Sequence, residues 1–186
     1  RPFPGVKIFV PCDAIEAKKV TIASTSFYGP AYLRFSRDKT PVMTTEETPF
    51  EIGKIMEFWK SDNAEVTIMG TGYMLYYALV AAKELEEEGI HALVVNVPTI
   101  KPLDVQGIMH YANHTNAIVT VEDHQVTGGL GGAIAEFLAK ARPTPMEFIG
   151  LQDTFAESGK PTELLEKYGM GVGAIKEAVK RVRGRK

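Results

Sequence analysis

Four apolar runs constrain this chain more than any other feature. "EVTIMG" (65–70), "HALVVNV" (91–97), "AIVTVE" (117–122) and "PMEFIG" (145–150) are nearly continuous in aliphatic residues. Strands that are apolar on both faces belong in a mostly parallel sheet with helices on each side. Helix-period stretches separate or follow them. "YMLYYALVAAKELEEEG" (73–89) closes on Gly89, the expected residue just past a helix end. "VQGIMHYANH" (105–114) follows Asp104, a suitable N-cap, and "LGGAIAEFLAKA" (130–141) follows a glycine turn. "PTELLEKYG" (161–169) and "VGAIKEAVKRVRG" (172–184) read as closing helices, "EIGKIMEFW" (51–59) as a further strand, and "TIKPLD" (99–104) as a turn. The expected fold is therefore three-layer α/β/α around a mostly parallel sheet, whose ligand sites lie at the carboxyl ends of the strands.

A smaller piece precedes this domain. "VKIFVP" (6–11) is a strand, "DAIEAKKVTIASTSF" (13–27) a helix, and "AYLRF" (31–35) a second strand. Asp13 is placed to N-cap the helix, and Glu16 has the capping-box spacing. This partial βαβ piece has too little partner surface to be a domain by itself. The polar stretch 36–49, with Pro41 and Pro49, reads as a connection. The expected division is residues 1–40, a linker at 41–48, and the main domain at 49–186.

Composition narrows the function classes. The 186 residues carry a formal net charge of -2, with none of the basic excess of a nucleic-acid domain. No apolar run approaches the ~20 residues that cross a bilayer. One cysteine, Cys12, cannot form an internal disulfide, which fits a reducing, cytoplasmic setting. The N-terminus has no apolar signal-type region. It begins with Arg1, close to a strand, and is expected to be the start of a piece of something longer.

Several residues are candidates for chemistry. Gly128, Gly129, Gly131 and Gly132 lie where a strand becomes a helix, a usual place for a phosphate. The dinucleotide pattern fails at its third glycine, where Ile134 stands, and no P-loop pattern is present. A tight structural turn is the preferred reading, as it is for Gly70-Thr71-Gly72. Glu122, Asp123 and His124 cluster at a strand's carboxyl end, as a proton-transfer group or as a hydrogen-bonded cluster at a contact. His110 and His114 share a helix face, but no third ligand is nearby and the helix lacks the H-E-x-x-H glutamate. The basic tail 180–186 suits a helix C-terminus, and the acidic stretch 83–89 reads as a solvated face. Arg34 and Arg37 flank the end of a strand. Arg37 is either a clamp for a phosphate or carboxylate or one half of a surface salt bridge.

Taken in order, "PAYLRFSRDKTPV", "FEIGK", "VTIMGTG", "TIKPLD", "TVEDHQVTGGLGGAIAE" and "ESGKPTELLEKYG" resemble the C-terminal part of transketolase, in particular the small subunit of split transketolases. The wider superfamily holds deoxyxylulose-phosphate synthase and the beta subunits of 2-oxoacid dehydrogenases. The resemblance implies transfer of a two-carbon ketol unit between sugar phosphates, with thiamine diphosphate and Mg or Ca in the complete assembly. It implies that residues 1–40 end the domain that binds the cofactor's pyrimidine. The remainder would be the C-terminal domain, which builds a homodimer. Ser36-Arg37 matches the family's pair after this strand, and the match implies that Arg37 contacts the substrate phosphate. The family's G-D-G…N diphosphate motif is absent, as are the catalytic Glu and the D-G-x-x-H-Q stretch. No catalytic, cofactor or metal residue is therefore assigned to this chain. Alone it is expected to be inactive, with an N-terminal section as partner and neither nucleic acid nor membrane as a target. The alternatives are another thiamine enzyme or a non-catalytic interaction module.

Overall fold

The computed structural model describes residues 1–37 and 39–186. The chain opens with strand β1 (Lys7–Phe9), helix α1 (Ala14–Ala23) and strand β2 (Ala31–Leu33). Strands β1 and β2 pair in parallel, so this is the anticipated βαβ unit. Helix α1 is shorter than the reading of 13–27. The hydroxyls of Ser24, Thr25 and Ser26 each donate to the carbonyl three residues back, and these local bonds compete with further helix.

The larger sheet contains β3 (Met56–Trp59), β4 (Val66–Gly70), β5 (Ala92–Asn96), β7 (Ile118–Gln125) and β8 (Met146–Leu151). Its order is β3-β5-β4-β7-β8. Every pair is parallel except β3 with β5 at the edge. The three-layer reading therefore stands. Helices α2 (Met74–Glu87) and α6 (Val172–Arg183) cover one face. Helices α3 (Val105–Thr115) and α4 (Leu130–Ala141) cover the other. Strand alternation sorts the core: Val66, Ile68 and Val94 face the first pair, whereas Met69, Val95 and Ile118 face the second. Helix α5 (Pro161–Lys167) adds Leu165 to the first cluster.

Two elements differ from the reading. The strand expected over 51–59 is confined to Met56–Trp59. Gly53 turns at φ 75°, and the Ile55 N–H is taken by the Asp104 carboxylate, which also caps α3 through the Gly107 N–H. The segment read as a turn begins with a strand, β6 (Thr99–Lys101), antiparallel to β1. The small sheet is thus β2-β1-β6, so the first two strands pair with a strand about ninety residues further along the chain.

The acidic end of α2 is more than a solvated face. Glu84 and Glu88 pair with Lys176 at 2.8 Å and 2.7 Å, and Glu88 also pairs with Lys180. In the basic tail Arg181 pairs with Glu147 and Arg183 with Glu65. Exposed pairs such as these contribute at most about 1 kcal/mol each.

Candidate functional site

In a doubly wound sheet, the crevice that takes ligands forms where the chain reverses its direction of winding. Here β4 is followed by β5 on one side, and β7 lies on the other. The carboxyl ends of β4 and β7 therefore frame that crevice. They carry Gly70-Thr71-Gly72 and Glu122-Asp123-His124, both singled out in the sequence.

The crevice is partly closed by the N-terminal piece. The Gly72 N–H donates to the Val10 carbonyl at 3.1 Å, and the Thr71 hydroxyl donates to Val97 at 2.7 Å. Gly72 has φ 60°, and a Cβ there would lie 3.0 Å from Val10. The close approach of the strap 10–11 thus requires glycine. What remains open is a cavity of about 340 Å³. Val6, Ile8, Val10, Ile100 and Leu130 form apolar walls, and Arg1, Arg34, Glu122, Asp123 and His124 supply the polar groups.

Glu122 answers the question of the glycine turn. Its side chain is buried, and its two oxygens accept the Leu130 and Gly131 N–H groups at 2.7 Å and 2.8 Å. The carboxylate occupies the place at the α4 N-terminus that a phosphate would take. The glycines make room for it: a Cβ on Gly129 would collide with the Glu122 carboxylate, and one on Gly131 would lie 2.6 Å from Phe148. Burial pushes the Glu122 carboxyl up to about 7, against the opposing pull of the Gly131 and Leu130 amides, Arg34 and Arg1.

Arg34 meets Asp123 at 3.0 Å, across 89 positions of sequence. Arg1 forks onto Glu136 and donates to the Gly128 carbonyl. The His124 Nδ1 lies 2.8 Å from the Gln125 carbonyl, which assigns the N–H to Nδ1. Glu122, Asp123 and Arg34 thus come together, and among the described residues no Ser or Cys lines the cavity with them.

Arg37 is elsewhere. It lies in the loop after β2 and is exposed. Its neighbour Ser36 lines a shallow hollow with Phe35, Lys39 and Cys12. The other end of that loop is anchored. Asp13 caps α1 through the Glu16 N–H and also accepts the Met43 N–H, the Thr44 N–H and the Thr44 hydroxyl. Burial opposes its ionisation, but these bonds outweigh it and hold the carboxyl below its usual value.

Glu16 does not complete a capping box. Its carboxylate accepts from the Cys12 N–H at 2.6 Å, not from Asp13, and from the Asn96 side-chain amide at 2.7 Å. Burial raises its pKa, and the Cys12 and Asn96 bonds oppose the rise. This buried bridge between α1 and β5 escaped the sequence reading, because Asn96 sits in an apolar run with no local partner. His110 and His114 stack at 6.4 Å, and among the described residues no three metal-ligating side chains converge. Among the described residues no helix is long and apolar enough to cross a membrane.

This architecture is matched by known proteins. Residues 59–175 match the family model "Transketolase, C-terminal domain". The chain is 36% identical, over its whole length, to the 6-deoxy-6-sulfo-D-fructose transketolase subunit SqwH of Clostridium sp. (strain MSTE9), of which it covers 57%. It is 37% identical, over 96% of its length, to a putative transketolase C-terminal section of Methanocaldococcus jannaschii, covering 56% of that protein. Among solved structures, a split-gene transketolase described as an inactive β4 tetramer superposes with a TM-score of 0.94 at 38% identity. That superposition covers 99% of this chain and 60% of the other. The chain belongs to the transketolase C-terminal domain family. It spans little more than half the length of the subunit-type relatives it matches.

Proposed function

We propose that this chain is part of a split transketolase, which moves a two-carbon ketol unit between sugar phosphates once its N-terminal section is present. The observation that carries this reading is the match of 99% of this chain to part of a split-gene transketolase chain, on top of similarity to proteins named as transketolase subunits or sections. Residues 1–40 then end the pyrimidine-binding domain, 41–48 link, and 49–186 form the C-terminal domain. That domain would bring copies of the chain together, and the assembly would work in the cytoplasm. Because the solved split-gene tetramer is described as inactive, this chain is read as inactive alone.

The complete assembly would use thiamine diphosphate and a divalent cation. The described residues here do not fit that group. Glu122 already takes the α4 amides, and no metal-ligating cluster forms among the described residues. The cofactor's diphosphate and metal are read as held by residues outside this sequence, and no catalytic step is assigned to the described residues. The chain's contribution is Arg37, which is exposed, on a loop whose far end is tethered by Asp13. Such a group binds a phosphate through paired, charge-assisted hydrogen bonds.

The test is kinetic. With the N-terminal section supplied, Arg37→Ala raises KM for phosphorylated sugars by about 10-fold or more, the scale of one charge-assisted contact. Unphosphorylated sugars are little affected. Equal effects on both would remove the phosphate role, and turnover of pyruvate in place of sugar phosphates would move the assembly to another thiamine enzyme.

A further inference from the structure

The cavity at the ends of β4 and β7 has the features of a small-molecule site. Its volume, about 340 Å³, lies in the ~300–1,000 Å³ range of such sites, and it combines apolar walls with a few convergent polar groups. It lies at the winding reversal of the sheet, where the ends of two neighbouring strands diverge and leave a crevice.

The polar groups narrow the ligand. The α4 amides are already satisfied by Glu122. Arg1 is fixed by its fork on Glu136 and its bond to Gly128. Arg34 is different. Among the described residues only Asp123 accepts from its guanidinium, through one Nη2 N–H, and the side chain keeps 31% of its exposure. Among the described residues its other N–H groups have no hydrogen-bond acceptor, and it lines the cavity together with Val6, Ile8, Ile100 and Leu130. A guanidinium of this kind matches a carboxylate in geometry and charge. The walls reject a strongly hydrated dianion, which would lose its water against aliphatic groups. A neutral apolar molecule would leave the fork unused.

We propose that this cavity binds a small organic monocarboxylate, with its acid group on Arg34 and a compact apolar or aromatic body against Val6, Ile8 and Leu130. Burial of the body supplies affinity, and the single charge pair supplies orientation and discrimination.

Titration calorimetry with benzoate, benzamide and inorganic phosphate tests this. Benzoate is expected to saturate with a Kd of about 1 mM or tighter, an affinity within reach of nine non-hydrogen atoms. Benzamide, which keeps the ring and loses the charge, binds about 10-fold more weakly or worse, and Arg34→Gln weakens benzoate by a similar factor. Phosphate does not compete. Val6→Trp fills the cavity from a residue outside the regular strands and abolishes binding. If that variant does not fold, methyl chemical shifts of Ile8 and Leu130 in the unaltered protein serve instead, and they move on benzoate addition. Equal binding of benzoate and benzamide would overturn the proposal. So would competition by phosphate, unchanged methyl shifts, a folded Val6→Trp protein that still binds, or no saturation by about 10 mM, weaker than a specific site of this size delivers.

Discussion

Glu122 makes a sharp prediction about how stability depends on pH. Burial moves its carboxyl from an ordinary value near 4.5 up to about 7 in the folded chain. In the unfolded chain it returns to the ordinary value. Between those two values the native state holds a proton that the unfolded state has released, so stability falls as pH rises. The stabilisation is fully present below about pH 4.5 and is lost through about pH 7. A shift of that size corresponds to about 3 kcal/mol, at 1.36 kcal/mol per pH unit. In Glu122→Gln the group does not titrate, and that slope vanishes. The amide still accepts one of the two α4 N–H groups, but its NH₂ faces the other. At low pH the variant is therefore less stable by about 1–3 kcal/mol, the cost of a buried unsatisfied donor, and the deficit narrows as pH rises because only the parent protein loses its Glu122 contribution. Urea unfolding of both proteins at pH 5 and pH 7.5 separates the two effects. Glu16 is also raised by burial and slopes the same way, but it is common to both proteins and cancels in the comparison. Parallel pH profiles for the two proteins would refute the reasoning.

Other perturbations test the remaining contacts. Asp13→Ala removes the acceptor of four hydrogen bonds that join α1 to Met43 and Thr44. It should cost about 2–4 kcal/mol in a denaturant titration, since several buried donors lose their partner at once. Because the Asp13 carboxyl is held below its usual value, its stabilisation is present above the unfolded pKa and is lost as pH falls through the folded one. Gly131→Ala places a methyl 2.6 Å from Phe148 and 2.7 Å from Thr120. It should lower stability by about 1–3 kcal/mol. Gly173→Ala, in α6 with nothing within 4 Å, should instead stabilise by about 0.5–1 kcal/mol through helix propensity. Thermal melts of the two variants must shift in opposite directions.

Strands β4, β5, β7 and β8 were legible because their aliphatic runs are apolar on both faces, a pattern that only a covered sheet accommodates. Helices α3 and α1 were legible at their starts because Asp104 and Asp13 bond within three residues of themselves. The glycine turn was legible as a turn. Strand β6 was not, because three residues ahead of Pro102 carry no periodicity and its hydrogen-bonding partner is β1, about ninety positions earlier. The edge strand β3 was overextended because Ile52 and Ile55 look like strand residues, while the contact that bends the chain comes from Asp104.

The site divides along the same line. Sequence by itself determined which groups stand at the strand ends: Glu122, Asp123 and His124 after β7, Thr71 after β4, and Arg34 and Arg37 after β2. Hydrophobic periodicity and local capping suffice for that, since they act within one turn of helix or one strand. Only the tertiary structure decided what those groups do to one another. It placed Glu122 on the α4 amides, joined Arg34 to Asp123, bridged Glu16 to Asn96, and laid Val10 across Gly72 to leave a cavity. Each of these is a pairing of buried or half-buried polar groups or a backbone approach between separate elements. Its energy depends on distance and desolvation, and sequence order carries neither.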